Sequence, residues 1–232
     1  MKTKDRILLT SLKLFNGQGE RNVSTNHIAA YLNISPGNLY YHFRNKNEIV
    51  YQLFLQYQAE VQSFMTLPQD GDITYEDKVH YLESILNSMW DYRFLHRDLQ
   101  HLLQDDATLR DAYRAFSSRT VADGRNILLS MADSGVLLAS REQIDALILN
   151  IWILVVSWSS FLQSISIQHN EAGTLRKALL KRAIYQIIAL EEPFLCDDIK
   201  PLLPELKKKY LAGASTDPLT LFPTVLDEVE NR

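Results

Sequence analysis

Asn38, Tyr41 and His42, in the stretch SPGNLYYHFRNKNEIV (35–50), bring an amide, a phenol and an imidazole together at spacings of three and four. On a helix these positions share one face. Each group can hydrogen-bond to a base edge or a phosphate oxygen in the major groove of DNA, and Gly37 beside them leaves room for close approach. Leu39 and Phe43 fall on the opposite side, where they can pack on Ile28, Ala29 and Leu32, and Tyr40 sits on the border. Arg44 and Lys46 follow at once, where another helix is expected to begin. A lysine in a first helical turn opposes the macrodipole, but it gains when an anion arrives at that terminus. Lys46 alone could be a solvated base. That reading does not account for the turn, the split aromatic face and the charge distribution of the chain together.

The elements around this stretch are readable from caps and periodicity. Ile7, Leu8, Leu12, Leu14 and Phe15 give a first helix an apolar face, closed by NGQGE. Ser24 or Thr25 can cap a short helix NHIAAYL, and NIS makes a tight turn. Ser35 and Pro36 suit the N-cap and first position of a very short helix over about 36–42. Asn45, with Glu48 three residues later, reads as a capping box opening a longer helix. A short helix, a turn and a second short helix form a helix-turn-helix. After the linker TLPQDGDIT (66–74), helical patterns run over about 75–96, 98–105, 108–134, 141–169 and 172–192, broken by DSGVLLAS and HNEAG. The fold class expected is all-α. Residues 197–232 read as an extension with one or two short helices, docked through Leu202, Leu203, Leu206 and Tyr210.

The net charge of −4 over 232 residues is unevenly spread. Residues 1–50 carry seven Lys/Arg against three acids, a net of +4, leaving 17 bases and 25 acids, a net of −8, in the remainder. A basic first part facing a polyanion fits this asymmetry. The single cysteine, Cys196, excludes an internal disulfide framework, and its neighbours Asp197 and Asp198 disfavour a reactive thiolate. No secretory signal is read at MKTKDRILLTSLKLF. His27, His80 and His169 lack companions at ligand spacing, so no metal and no cofactor are expected. No Walker loop, GxSxG or HExxH occurs, and no catalytic constellation is predicted. Residues 146–170 form an uncharged run of 25, long enough for a membrane span. Asn150, Gln163, Gln168 and several serines interrupt it, and burial in a helical core or subunit interface is the preferred reading.

The segment STNHIAAYLNISPGNLYYHFRNKNEIV resembles the DNA-binding domain of the TetR family of bacterial transcriptional regulators, over about Asp5 to Tyr57. The Leu-Tyr-x-His-Phe core is Leu39 to Phe43, followed by the family's lysine at Lys46. The resemblance implies base or groove contacts from Thr25, Asn26, Gly37, Asn38 and Tyr41. It implies phosphate contacts from Ser24 or Thr25, Tyr40, His42 and Lys46, and Arg44 joins the same patch. Asn26 departs from the charged residue common at its position, which leaves base preference open.

The expected division is a helix-turn-helix domain at 1–62, an effector-binding and dimerisation domain at 63–196 and the extension at 197–232. The resemblance implies a homodimer through the helices at about 141–169 and 172–192, a small organic effector and a cytoplasmic regulator that joins the nucleoid on DNA. Trp90, Phe94, Tyr113, Phe116, Trp152 and Trp158 are candidate pocket residues because the resemblance implies a pocket; residue by residue, core and interface packing is the better reading of such aromatics. Arg93, His96, Arg97 and His101 read as a surface face balanced by Asp91, Asp98, Asp105 and Asp106. The leading function is a ligand-responsive repressor on a partly palindromic operator. An activator of the same fold, or a helical ligand-binding protein or enzyme without operator binding, are the alternatives.

Overall fold

Local signals set the first helices. The structure, a computed structural model, describes residues 1–65, 73–165, 173–211, 215–217 and 220. Helix α1 (Thr3–Gln18) ends where Gly19 takes φ 92°, a conformation that favours glycine, and a single 3₁₀ turn (Glu20–Asn22) follows. Ser24 caps α2 (Thr25–Leu32), accepting from the His27 N–H at 3.2 Å. Asn33 closes α2 in the left-handed region at φ 54°. Ser35 and Pro36 start α3 (Pro36–His42), and Asn45 starts α4 (Lys46–Phe64) by accepting from the Glu48 N–H at 2.9 Å. The Glu48 carboxylate closes back on the Arg44 N–H at 2.7 Å, one residue earlier than a capping box requires.

The expected helix over 75–96 is two helices, α5 (Tyr75–Asp91) and α6 (Arg93–Arg97), with Tyr92 outside helical dihedrals between them. The Asn16 side chain mends the break: its amide donates to the Asp91 carbonyl at 2.7 Å and its oxygen accepts from the Phe94 N–H at 3.1 Å. An amide from α1 thus satisfies backbone groups that an unbroken helix would have paired internally. Asp98 separates α6 from α7 (Leu99–Asp105), and α8 (Ala107–Asp133), α9 (Arg141–Ile165), α10 (Gly173–Glu191) and α11 (Leu203–Leu211) complete the chain. The architecture is all-α, with no strand among the described residues. The linker residues 66–72, the break at 169–172 and the end of the extension from 221 lie outside the described residues.

Two compact units emerge. The described residues of Met1–Thr66 and Asn87–Thr120 form one, and those of Leu67–Leu86 and Val121–Arg232 the other. The first is centred on Phe15, Ile28, Leu39, Phe43, Leu53, Phe54 and Phe94, each at most 2% exposed. Sequence places a domain boundary after residue 62; within this unit Phe15 packs on Phe94 at 5.2 Å between ring centroids, and Arg97 donates to the Phe15 carbonyl at 2.7 Å. α6 therefore grips the end of α1.

In the second unit, Ile184, Ile187 and Ile188 of α10 are fully buried, and α11 packs on α10 through Leu203 and Tyr210. Leu206 is half-buried, whereas Leu202, expected to dock, is 40% exposed because it sits in the 3₁₀ turn ahead of α11. Buried Lys78 pairs with buried Glu191, whose Oε2 also accepts from the Tyr75 hydroxyl at 3.2 Å. Along α9, Leu149 and Ile153 are 54% and 51% exposed, one turn apart on the same face.

Candidate nucleic-acid interface

α2 and α3 present the polar groups as the sequence predicts. Phe43 and Leu39 are buried, as are Ile28 and Ala29, while Tyr41 is 85% exposed and Tyr40 is 48% exposed. His42 is half-buried, its ring edge-on to Tyr41 at 5.1 Å. The hydroxyls of Thr25 and Tyr40 lie 2.9 Å apart, tying the start of α2 to α3. Asn26 and Asn38 are exposed. A β-carbon added at Gly37 would meet only the Ser35 Oγ at 3.9 Å, so nothing within the fold demands glycine there. Ser24 has its oxygen engaged in the cap of α2, and Arg44 is exposed at the turn before α4.

Lys46 is more constrained than its sequence position suggests. Its Nζ contacts the Glu20 Oε1 at 2.7 Å and donates to the Glu20 carbonyl at 3.1 Å. The Glu20 side chain is only 4% exposed, and its N–H donates to Asp98 at 3.4 Å. Arg97 in turn pairs with Asp98 at 3.2 Å. Lys46 therefore joins α4 to the turn after α1, with its side chain still 27% exposed. Sequence reasoning missed Glu20; the signal was a lone acid in the turn between the first two helices of a basic segment. It also missed Lys13, which donates to the Tyr31 hydroxyl at 2.6 Å on an exposed part of the surface. Lys4, over the Phe43 ring at 5.5 Å, is a further cation near the end of α3.

The candidate pocket aromatics divide between the two units. In the first, Phe94 and Phe116 are buried and Tyr113 half-buried; Phe116 stacks against Phe54, Tyr57 and Tyr113 at 5.6–6.2 Å. Trp90 instead carries the Arg93 guanidinium on its ring face at 4.9 Å. In the second, Trp158 packs on Phe161 at 5.4 Å and Trp152 is half-buried. The expectation for His96 is corrected. It is buried rather than on a surface face, because the short α6 turns it inward against Tyr57, 5.2 Å between rings. Its neighbours keep polar partners: Arg97 with Asp98, and His101 with Asp105 at 3.2 Å.

Known proteins match both parts of the chain. Residues 7–53 match a family model described as bacterial regulatory proteins of the tetR family, and residues 56–201 match one described as a bacterial transcriptional repressor. The crystal structure of a TetR-family transcriptional regulator from Marinobacter aquaeolei VT8 is 44% identical. It superposes with a TM-score of 0.82 over 90% of this chain and 99% of that one. A tetR-family regulatory protein from Rhodococcus RHA1 shares the fold at 21% identity, with a TM-score of 0.59 over 85% and 100% of the two chains. An HTH-type transcriptional regulator of Staphylococcus aureus is 25% identical over 104 residues, 45% of this chain and 55% of its own length, so that match spans about half of the relative. With a helix-turn-helix exposed as above and family models covering residues 7–53 and 56–201, the chain belongs to the TetR family of bacterial regulatory proteins.

Proposed function

We propose that the protein is a dimeric, effector-responsive repressor that binds a partly palindromic operator, with no catalytic activity, in the cytoplasm and on the nucleoid. The observation that carries the reading is the outer face of α3. There Tyr41, 85% exposed, and the exposed Asn38 and Gly37 stand on a scaffold fixed from behind by buried Leu39 and Phe43. Side chains of this kind on a short helix suit direct readout in a major groove. Ser24, Thr25, Tyr40, His42, Arg44 and Lys46 surround that face and are assigned to the phosphates on either side, with Asn26 adding a groove contact.

The exposed apolar face of α9 supports the dimer. An 18-residue window within its Arg141–Leu162 stretch has a mean hydropathy of 1.7, yet only 28% of that window is buried within one chain. Packing α9 and α10 against a second copy would cover Leu149 and Ile153. An effector in the domain 63–196 would favour a dimer whose two reading helices no longer match the operator spacing.

Selection of bound sequences from a random duplex pool tests this directly. Enrichment of a palindrome whose half-sites lie about one helical turn apart, or a multiple of it, is expected. Tyr41→Ala and Asn38→Ala should change which bases are enriched within each half-site. Failure of a folded dimer to enrich any sequence refutes the reading.

A further inference from the structure

His96 is 8% exposed, and neither Nδ1 nor Nε2 has a hydrogen-bond partner among the described residues. A buried polar group in this condition gives up its water contacts for nothing in return. The imidazole borders a small, partly open space of about 10 Å³, lined also by Phe54, Tyr57, Leu99, Leu102, Leu109 and Tyr113. That volume is room for about one water molecule.

We propose that this cavity is the closed form of a binding site for a small, uncharged, ring-sized molecule bearing one hydroxyl, a phenol in the simplest case, whose hydroxyl bonds to His96. The inference rests on the effector-responsive reading and names the ligand class. Charge is excluded by the lining, which holds no Lys, Arg, Asp or Glu to neutralise an ionised ligand. Burial pushes the His96 imidazole down to about 4 and the phenols of Tyr57 and Tyr113 up, so every wall group is neutral near pH 7. A neutral imidazole offers one acceptor nitrogen and one N–H donor, and a single hydroxyl can bond to one of them, donating to the first or accepting from the second. The ring is specified by the aromatic walls: Tyr57 stands edge-on to His96, and Phe54 packs on Tyr113 at 6.2 Å between centroids, with Phe116 behind them rather than in the lining.

A ring needs more space than the closed cavity provides, so part of the wall yields. α6 has five residues and α7 seven, and Asp98 between them is outside helical dihedrals. Helices this short have few internal hydrogen bonds and open at low cost. Because Phe94 and Arg97 of α6 hold the end of α1, displacement of α6 reaches the DNA-reading helices.

The test uses the full-length protein with p-cresol, toluene and 4-methylbenzoate as probes, followed by calorimetry and by the NMR signals of the labelled histidine rings. p-Cresol is expected to bind at one per chain, at least tenfold tighter than the other two, and to shift the His96 ring resonances. His96→Leu should bring p-cresol down to the toluene level while toluene still binds. Leu99→Phe, which fills the cavity from its rim and leaves His96 intact, should abolish binding of both and guards against a misfolded His96→Leu. Equal affinity for p-cresol and toluene, or p-cresol affinity unchanged in His96→Leu, overturns the proposal. So does the absence of saturable binding with His96 resonances unmoved, in which case the space holds water only. Operator selection on ligand-free protein separates the two readings. A palindrome without phenol binding sinks the cavity alone, and phenol binding without a palindrome sinks the repressor.

Discussion

Removing the Lys46 side chain should cost the first unit far more than neutralising its partner. The Glu20 carboxylate is 4% exposed and has Lys46 at 2.7 Å, so Lys46→Ala strands a buried charge and also deletes the 3.1 Å bond to the Glu20 carbonyl. Breaking a buried pair from one side costs about 3–5 kcal/mol, and the 27% exposure of Lys46 admits enough screening to bring the expectation to about 2–3 kcal/mol. Glu20→Gln keeps an acceptor for the ammonium and leaves a lysine that can turn to water, so about 1 kcal/mol is expected. The double variant carries no stranded charge. It should lose about 1–2 kcal/mol, less than Lys46→Ala alone, a coupling of roughly 2 kcal/mol.

Hydrogen exchange of the peptides covering 20–22 and 46–50, read across a urea series, localises the effect to this unit. A global melting curve would mix two units that need not unfold together. Strict additivity of the two single variants refutes the reasoning, since the pair would then contribute nothing. The same proteins address the phosphate assignment. Lys46→Ala should weaken DNA binding evenly over sequences and lower the salt slope by about one. If Glu20→Gln weakens binding equally with the slope intact, Lys46 acts by positioning α4 rather than by touching a phosphate.

Single sites elsewhere carry their own expectations. His96, pushed down to about 4 by desolvation against an ordinary value of 6.5, binds its proton more readily in the unfolded chain. Stability is therefore full above about pH 6.5 and falls as pH drops toward 4, by about 3 kcal/mol from this group. Denaturant titrations at pH 7 and pH 4.5 should show a smaller loss for His96→Gln than for the natural chain, and equal losses would contradict the burial. Gly37→Ala should stabilise the folded protein by about 0.5–1 kcal/mol, because the position is helical and open. The same change should weaken operator binding in a gel-shift titration; unchanged affinity would remove Gly37 from the interface. In the second unit, Lys78→Met leaves the buried Glu191 with only the Tyr75 hydroxyl among the described residues and should cost about 3–5 kcal/mol by thermal or urea unfolding. A loss under about 1 kcal/mol would mean that water reaches the pair.

Sequence alone determined the local features of this protein. The caps at Ser24, Ser35 and Asn45 bond to backbone groups three residues away, and the split of Tyr41 from Leu39 and Phe43 follows from helical periodicity. Such features need no knowledge of what lies across the fold, which is why the helix-turn-helix and its outer face were legible residue by residue. The tertiary structure decided the rest. Asn16 mends a helix break 75 residues away, and Lys78 meets Glu191 over a separation of 113. A charged or amide side chain has the same pattern in sequence whether it ends in water or in the core. His96 reads as a surface group and Glu20 carries no sign of burial in sequence, yet His96 packs against Tyr57 and Glu20 is held by Lys46 of α4. Their fate depended on which surfaces meet, because burial and pairing are settled by neighbours distant in the chain rather than by the residues beside them.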